Sequence, residues 1–132
     1  MKSLGKKKIK IIIEKTDTGF SAYAENLPVF TTGTTISELQ KNILEALHLY
    51  FEEQGTKVSQ KNIVLEIDIK QFFQYYRVIN AKFLADRIGM NPTLLSQYVQ
   101  GRKKPSEQQT EKILEGIQQI GKELSELRLV AR

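Results

Sequence analysis

The stretch AKFLADRIGMNPTLLSQYVQ, residues 81–100, carries the pattern of two short helices joined by a tight turn. Counted from Ala81, the small residue Ala85 falls at the fifth position, where two such helices cross, and Gly89 falls at the ninth. Glycine can end a helix in the left-handed conformation without a steric penalty from a Cβ atom. Apolar residues occupy the positions that such a unit buries, namely Leu84, Ile88, Met90, Leu95 and Tyr98. The pattern predicts a helix-turn-helix rather than a helical hairpin of no special use.

The second helix of this pair has its own start signal, because Asn91 is a favourable N-cap and Pro92 follows at the first helical position. In this motif the N-terminal part of the second helix enters the major groove of DNA. The side chains predicted to face bases are Asn91, Thr93, Ser96 and Gln97. Those predicted to face phosphates are Gln100, Arg102, Lys103 and Lys104. Ordinary solvent exposure is the alternative, but from residue 70 to residue 105 seven basic residues accompany one acid, which favours a nucleic-acid partner.

Composition limits the class of protein. A chain of 132 residues that is 40% apolar can form one domain or two small ones, and its net charge of +5 suits a polyanionic partner. The absence of cysteine excludes a disulfide scaffold and a thiolate metal site. The apolar run Ile11–Ile13 is far too short for a signal-peptide core or a membrane span, so we expect a cytoplasmic protein that has no membrane partner. The lysine-rich beginning is interpreted as a solvated end before a strand.

The first half of the chain predicts a sheet covered by one helix. Apolar residues alternate with polar ones in residues 8–15, and again in residues 20–25 after a turn, which predicts a hairpin. A short third strand is expected at residues 29–32, and a helix capped by Thr35 and Glu38 extends to Glu53. A polar connection, residues 58–62, then leads to a fourth strand at residues 63–67. Residues 1–67 are therefore predicted to form a β-β-β-α-β domain of the α+β class.

The second half, residues 68–132, predicts an all-α domain. A short aromatic helix from Ile69 to Arg77 is expected to pack against the helix-turn-helix rather than to stack on bases. The last helix should run from Glu107 to about Leu127. A heptad-like seam extends along it, and the candidate residues for contact with a second chain are Ile117, Ile120, Leu124 and Leu127. Packing of the whole seam within its own domain remains equally open.

Three segments of the first half resemble the N-terminal domain of HicB antitoxins: Gly19-Phe20-Ser21-Ala22-Tyr23, Asn26-Leu27-Pro28, and the capped helix from Thr35 to Glu53. The resemblance implies a truncated RNase H-like fold. It extends over the whole chain, because many HicB antitoxins carry a C-terminal helix-turn-helix of the Xre/λ-repressor type. Two features depart from the family: Pro28-Val29-Phe30 replaces the usual Pro-Gly-Cys, and the acidic residue before the helix is missing.

The resemblance also implies a function. HicB proteins are antitoxins of type II toxin-antitoxin systems, so we expect the N-terminal domain to bind and neutralise a HicA-like ribonuclease toxin. The helix-turn-helix domain is expected to bind double-stranded operator DNA as a homodimer or higher homo-oligomer and to repress its own operon. The alternative is a stand-alone helix-turn-helix transcription regulator without a cognate toxin.

A metal-dependent nuclease is a second alternative, since RNase H chemistry uses carboxylates that converge on two metal ions. The strand acids Glu14 and Glu25 fall opposite the apolar rows and are interpreted as solvated. His48 is the single histidine of the chain, and no cysteine is available to complete a zinc site. We therefore predict no catalytic residue, no metal site, no cofactor and no enzymatic activity.

Overall fold

A sheet with one long helix is followed by four further helices in this computed structural model, which describes residues 2–132 and only the backbone of Lys2. In chain order the elements are β1 (Lys2–Ser3), β2 (Ile9–Lys15), β3 (Phe20–Ala24), β4 (Phe30–Gly33), α1 (Ile36–Glu52), β5 (Thr56–Lys57), β6 (Ile63–Ile67), α2 (Ile69–Tyr75), α3 (Ala81–Ile88), α4 (Pro92–Val99) and α5 (Glu107–Glu126). The chain divides into two compact units between Gln71 and Phe72. The molecule is thus a mixed helix-and-sheet protein, as the sequence predicted in outline.

The four-stranded sheet has the order β4-β3-β2-β6. Strand β3 pairs antiparallel with both β2 and β4, while β6 pairs parallel with β2. The predicted hairpin is present, and Thr16 N donates to the carbonyl of Gly19 at 2.8 Å to close its turn. Parallel strands need a long crossover connection. In the connection between the parallel strands β2 and β6, helix α1 follows β4 and packs on the sheet.

Helix α1 covers one face of this sheet, and the apolar stripe in its sequence explains how. Its buried residues are Leu39, Ile43, Leu47 and Phe51. They form one core with the inward residues of the strands, among them Ile11, Ile13, Phe20 and Ala22. Burial of large aliphatic and aromatic side chains contributes roughly 1.5–3 kcal/mol each. Thr35 caps the helix, since its hydroxyl accepts from the backbone N–H of Glu38 at 3.0 Å.

The connection before β6 differs from the polar loop that the sequence predicted. Thr56–Lys57 pairs as a parallel strand with Lys2–Ser3, and Val58 and Asn62 are buried, each with 2% exposure. The amide of Asn62 donates to the carbonyls of Gly5 and Lys7, at 3.0 and 2.8 Å. Its oxygen accepts from the backbone N–H of Ser59 at 3.1 Å. The first residues of the chain are therefore fixed by a buried side chain, which was not predicted. The side chains of Lys6, Lys7 and Lys8 are exposed, as expected of a solvated end before a strand.

Three predicted helix ends and one predicted strand start differ by one or two residues. Helix α2 ends at Tyr75 rather than at Arg77, and α5 ends at Glu126, so Leu127 lies outside the helix in an extended conformation. The third strand begins at Phe30 rather than at Val29, and α1 ends at Glu52, one residue early. In the part of the chain that the structure describes, none of the helices has the length and apolar content to cross a membrane.

Candidate nucleic-acid interface

Helices α3 and α4 form a tight pair on a small apolar core. The buried residues of this core are Leu84, Ala85, Met90, Leu95, Tyr98 and Ile113. Ala85 and Leu95 have no exposed surface, which agrees with the prediction that a small residue occupies the crossing point. Ile88, also predicted to be buried, is half-buried. Helix α3 packs against both α4 and α5, so α3 connects α4 to the last helix of the unit.

The turn between these helices depends on Gly89, whose φ of 70° lies in the left-handed region. Met90 N donates to the carbonyl of Ala85 at 2.9 Å, and Gly89 N donates to that of Asp86 at 3.4 Å. This pair of bonds is the Schellman arrangement, which satisfies carbonyls at a helix end and is accompanied by an apolar contact of the following residue. Met90 is that residue and is buried.

Helix α4 begins as the sequence predicted. Asn91 is the N-cap, and its side-chain oxygen accepts from the backbone N–H groups of Thr93 at 2.8 Å and Leu94 at 3.3 Å. Pro92 occupies the first helical turn. The cap uses the oxygen of Asn91 within the protein, so only the amide nitrogen of this side chain remains to donate to a base. Asn91 is thus first a structural residue, a role that the sequence also predicted.

Four predicted contact residues lie along one side of α4. Thr93, Ser96, Gln97 and Gln100 are spaced by three, one and three residues, which places them on the same face of a helix. Thr93 and Gln100 are exposed, whereas Ser96 and Gln97 are half-buried. Gln100 Nε2 donates to Ser96 Oγ at 3.3 Å. This face therefore presents short donors and acceptors, opposite the side that buries Leu95 and Tyr98.

The basic loop, which comprises residues 101–105, is fixed to the end of α4 by a second Schellman arrangement that was not predicted from the sequence. Gly101 has a φ of 76°, and its N–H donates to the carbonyl of Tyr98 at 3.1 Å. Arg102 N and Lys103 N both donate to the carbonyl of Gln97, at 2.9 and 3.3 Å. A glycine directly after a predicted helix was the signal available in the sequence. The arrangement holds the predicted phosphate contacts beside the predicted base contacts.

The side chains of this loop are free to meet an anion. Arg102, Lys103 and Lys104 are all exposed. The ion pairs within residues 2–132 are formed by Lys10 and Arg87, not by the loop. The three cations also follow the C-terminus of α4, where the helix dipole favours positive charge. After residue 71 the chain has ten basic and six acidic residues, whereas residues 1–71 have ten and nine.

Helix α5 supports the pair through a close contact that was also missed. A Cβ atom on Gly116 would lie 2.4 Å from Cγ2 of Ile88, so any larger residue would force Ile88 to shift where α5 meets α3. Arg87 of α3 also pairs with Glu123 of α5, and Gln119 donates to the same carboxylate at 3.3 Å. These hydrogen bonds lower the pKa of Glu123 below its ordinary value, and the bond from Arg87 contributes most to the change.

The predicted dimer seam is only partly continuous. Ile113 is buried, Ile117 and Ile120 are half-buried, and Leu124 is 65% exposed. Leu127 is exposed but lies beyond the helix end, so the heptad pattern does not continue to it. Leu124 and Ile120 instead line an apolar groove of about 640 Å³, together with residues of α3 and the segment before it: Val78, Ile79, Phe83 and Leu84.

The carboxylates considered for nuclease or metal chemistry are occupied in other ways. Glu25 and Glu66 each pair with Lys10, at 3.6 and 3.8 Å, and Glu14 is exposed. Asp68 caps α2 by accepting from the backbone N–H of Lys70 at 3.1 Å. Among the described residues, no group of three or more histidine, cysteine or carboxylate side chains is placed to hold a metal ion.

The aromatic residues of α2 and its C-terminal end contact one another. The ring centroids of Phe72 and Phe73 lie 5.2 Å apart, and those of Tyr75 and Tyr76 lie 4.7 Å apart. Phe73 is buried, and burial together with neighbouring Tyr75 raises the pKa of Tyr76.

Comparison with protein-family models, with curated protein sequences and with solved structures finds no match to this chain.

Proposed function

We propose that this protein is a sequence-specific DNA-binding repressor of the helix-turn-helix type, and that it is the antitoxin of a toxin-antitoxin pair related to HicB. Its second unit binds operator DNA. Its first unit, a truncated RNase H-like domain, binds and neutralises a HicA-like ribonuclease toxin. Such a protein acts in the cytoplasm, where its operon and its toxin are found, and it requires no catalysis or cofactor of its own.

The observation that carries the DNA-binding proposal is the joint placement of the polar face of α4 and the basic loop. One carbonyl, that of Gln97, accepts hydrogen bonds from both Arg102 and Lys103, so the cationic segment is held at the end of the face that carries Gln97. Short polar side chains can reach base edges, and neighbouring cations can neutralise the adjacent phosphates. A surface with both features is what a major-groove helix needs.

A charge-reversal variant tests this proposal. The double substitution Arg102→Glu and Lys103→Glu should weaken binding to every duplex, including one of unrelated sequence, and should make the affinity less dependent on salt. Fluorescence anisotropy with the duplex upstream of the protein's own reading frame, at several salt concentrations, measures both effects. Removal of one phosphate-binding cation should reduce the slope of log affinity against log salt by about one.

A control separates local contacts from overall charge. Lys41→Glu combined with Lys57→Glu changes the net charge equally, but these exposed lysines lie in the first unit. The control protein should bind DNA nearly as the original does. An equal decrease in affinity in both double variants would contradict the proposed interface.

The antitoxin proposal rests on the resemblance in the first half together with the strand pattern now described. A central strand that is antiparallel to one neighbour and parallel to the other, with a helix over one face, is compatible with an RNase H-like sheet. Co-expression with the protein encoded by the neighbouring reading frame tests the proposal. We expect a complex and relief of toxicity. Normal DNA binding without a toxic neighbour would instead identify a stand-alone transcription regulator.

We further propose that the protein binds DNA as a homodimer, because two recognition helices read a palindromic site with far more contacts than one. The exposed Leu124 beside its apolar groove supports a contact between second units. Leu124→Lys should lower the mass measured by analytical ultracentrifugation to that of a monomer and weaken operator binding. Leu129→Lys is the control, since Leu129 is 99% exposed outside the groove. A dimer that persists in the Leu124 variant would contradict this contact.

A further inference from the structure

The four-stranded sheet of the first unit has one face that α1 does not cover, and its outward residues form an apolar row. Phe30 lies opposite Tyr23 in the β3–β4 register, and Tyr23 lies opposite Ile12 in the β2–β3 register. Directly opposite residues project from the same face of a sheet. Phe30 is 65% exposed and Tyr23 is 40% exposed, while Ile12 is half-buried. We call this surface the open sheet face.

Carboxylates border the apolar row. Glu66 of β6 lies opposite Ile12 of β2. Glu14 and Glu25 follow Ile12 and Tyr23, respectively, by two residues, which is the spacing of residues on the same face. The single cation on these strands that faces the same way is Lys10, which pairs with both Glu25 and Glu66. Three carboxylates therefore accompany one ammonium group on this face, within a chain whose net charge is +5.

Neighbouring cations do not reverse this local excess of negative charge. The ammonium group of Lys8, which precedes β2, bonds to the carbonyl of Lys61 at the end of the sheet. Lys15 lies in register with Phe20 and places its ammonium 5.3 Å from the centre of that inward-facing ring. The open sheet face thus differs in sign from the basic loop of the second unit.

We propose that the open sheet face is the docking surface for the cationic RNA-binding surface of the ribonuclease toxin. This inference rests on the proposed antitoxin function and specifies its partner site. A protein that binds RNA needs a basic surface to meet phosphates, so an inhibitor covering that surface gains attraction and specificity from opposing carboxylates. Exposed aromatic residues at the centre of such a surface are the usual anchors of a protein interface.

The β4 edge of the sheet favours docking on the face over addition of a further strand at that edge. The amide of Asn42 in α1 donates to the carbonyl of Thr32 in β4 at 2.7 Å. One acceptor of this edge strand is therefore already occupied by the protein's own helix, which makes the edge a poorer template for a partner strand. The exposed side chains of Tyr23 and Phe30 remain available.

Two exposed apolar residues of the first unit provide a matched test, since Phe30 on the open sheet face is 65% exposed and Leu49 on α1 is 71% exposed. The full chain is titrated by calorimetry with the purified product of the neighbouring reading frame. Phe30→Ser should weaken this complex at least about tenfold while leaving DNA binding unchanged. Leu49→Ser should leave the affinity for the partner unchanged. Glu14→Lys should weaken the complex most strongly at low salt, because that carboxylate faces a cationic surface.

Cross-linking supplies a measurement that does not depend on loss of affinity. Benzoylphenylalanine at position 30 should capture the partner protein, whereas the same group at position 49 should not. If the unaltered chain binds the partner but Phe30→Ser and Glu14→Lys bind it equally well, the docking surface is wrong and the antitoxin function stands. If the unaltered chain does not bind the neighbour's product, both proposals fail together. A fall in the mass of the free chain on Phe30→Ser would identify the face as a contact between copies and would also overturn the inference.

Discussion

The open sheet face of the first unit and the polar face of α4 in the second are both exposed, but their side chains differ in polarity and in the sign of the neighbouring charges. The sheet face presents aromatic rings bordered by carboxylates, whereas α4 presents small polar side chains beside three cations. Their supports differ as well: one long helix lies behind the sheet, and two short-range helix-end arrangements position α4 and its loop. One chain with a net charge of +5 thus carries both a surface with excess negative charge and a surface with excess positive charge.

The packing of α5 against α3, which supports α4, can be disturbed without changing the first unit. Gly116→Ala places a Cβ atom against Ile88 and should destabilise the second unit by about 1–3 kcal/mol, as overpacking generally does. Urea unfolding followed by circular dichroism, together with DNA binding, measures the effect. The control is Gly121→Ala on the same helix, where a Cβ atom meets nothing within 4 Å. That substitution should stabilise the protein by about 0.5–1 kcal/mol, and equal behaviour of the two variants would contradict the close contact.

The hydrogen bonds that support the first unit can likewise be removed without changing the second unit. Asn62→Ala removes the buried amide that holds Gly5 and Lys7 and should cost about 1–3 kcal/mol, because buried backbone groups lose their partners. Asn42→Ala removes an amide that makes one bond, to Thr32, and should cost about 0.5–1.5 kcal/mol. Thermal unfolding compares the two variants. If Asn62→Ala were the milder change, the buried amide would not be what fixes the first residues of the chain.

The smallest expected effect concerns the ion pair between α3 and α5. Because the folded pKa of Glu123 lies below its ordinary value of 4.5, the carboxylate contributes stability above that pH and loses it as the pH falls through the folded pKa. The stability difference between the original protein and Glu123→Gln should therefore narrow as the pH falls below about 4.5. Chemical unfolding at a series of pH values measures it. In an Arg87→Gln background the stability difference should be smaller above about pH 4.5, and a difference independent of pH in the original background would refute this role of the pair.

The sequence predicted those features that depend on local patterns. Alternation in β2 and β3, the cap at Thr35 and the positions of Gly89 and Asn91 are each readable from a few neighbouring residues, and the structure has them as predicted. The eight predicted DNA contacts lie on α4, at its cap or in the loop after it, although contact with DNA stays a prediction.

Features that depend on distant partners were not predictable in this way. Asn62 is buried because two carbonyls more than fifty residues earlier in the chain need donors, and no local pattern encodes that. Gly116 lies against Ile88 of another helix, and the apolar groove combines α3 with the end of α5. Leu127, the last residue of the predicted seam, lies just beyond the helix end, because periodicity alone does not show at which residue a helix ends.

The central claim is that α4 and the loop after it form the DNA interface. Amide chemical shifts of the full-length protein, recorded during titration with the duplex upstream of its reading frame, test this most directly. We predict that the large shifts cluster in residues 91–104 and that Tyr23 and Phe30 stay unchanged. Shifts centred on the open sheet face, with residues 91–104 unaffected, would contradict the claim.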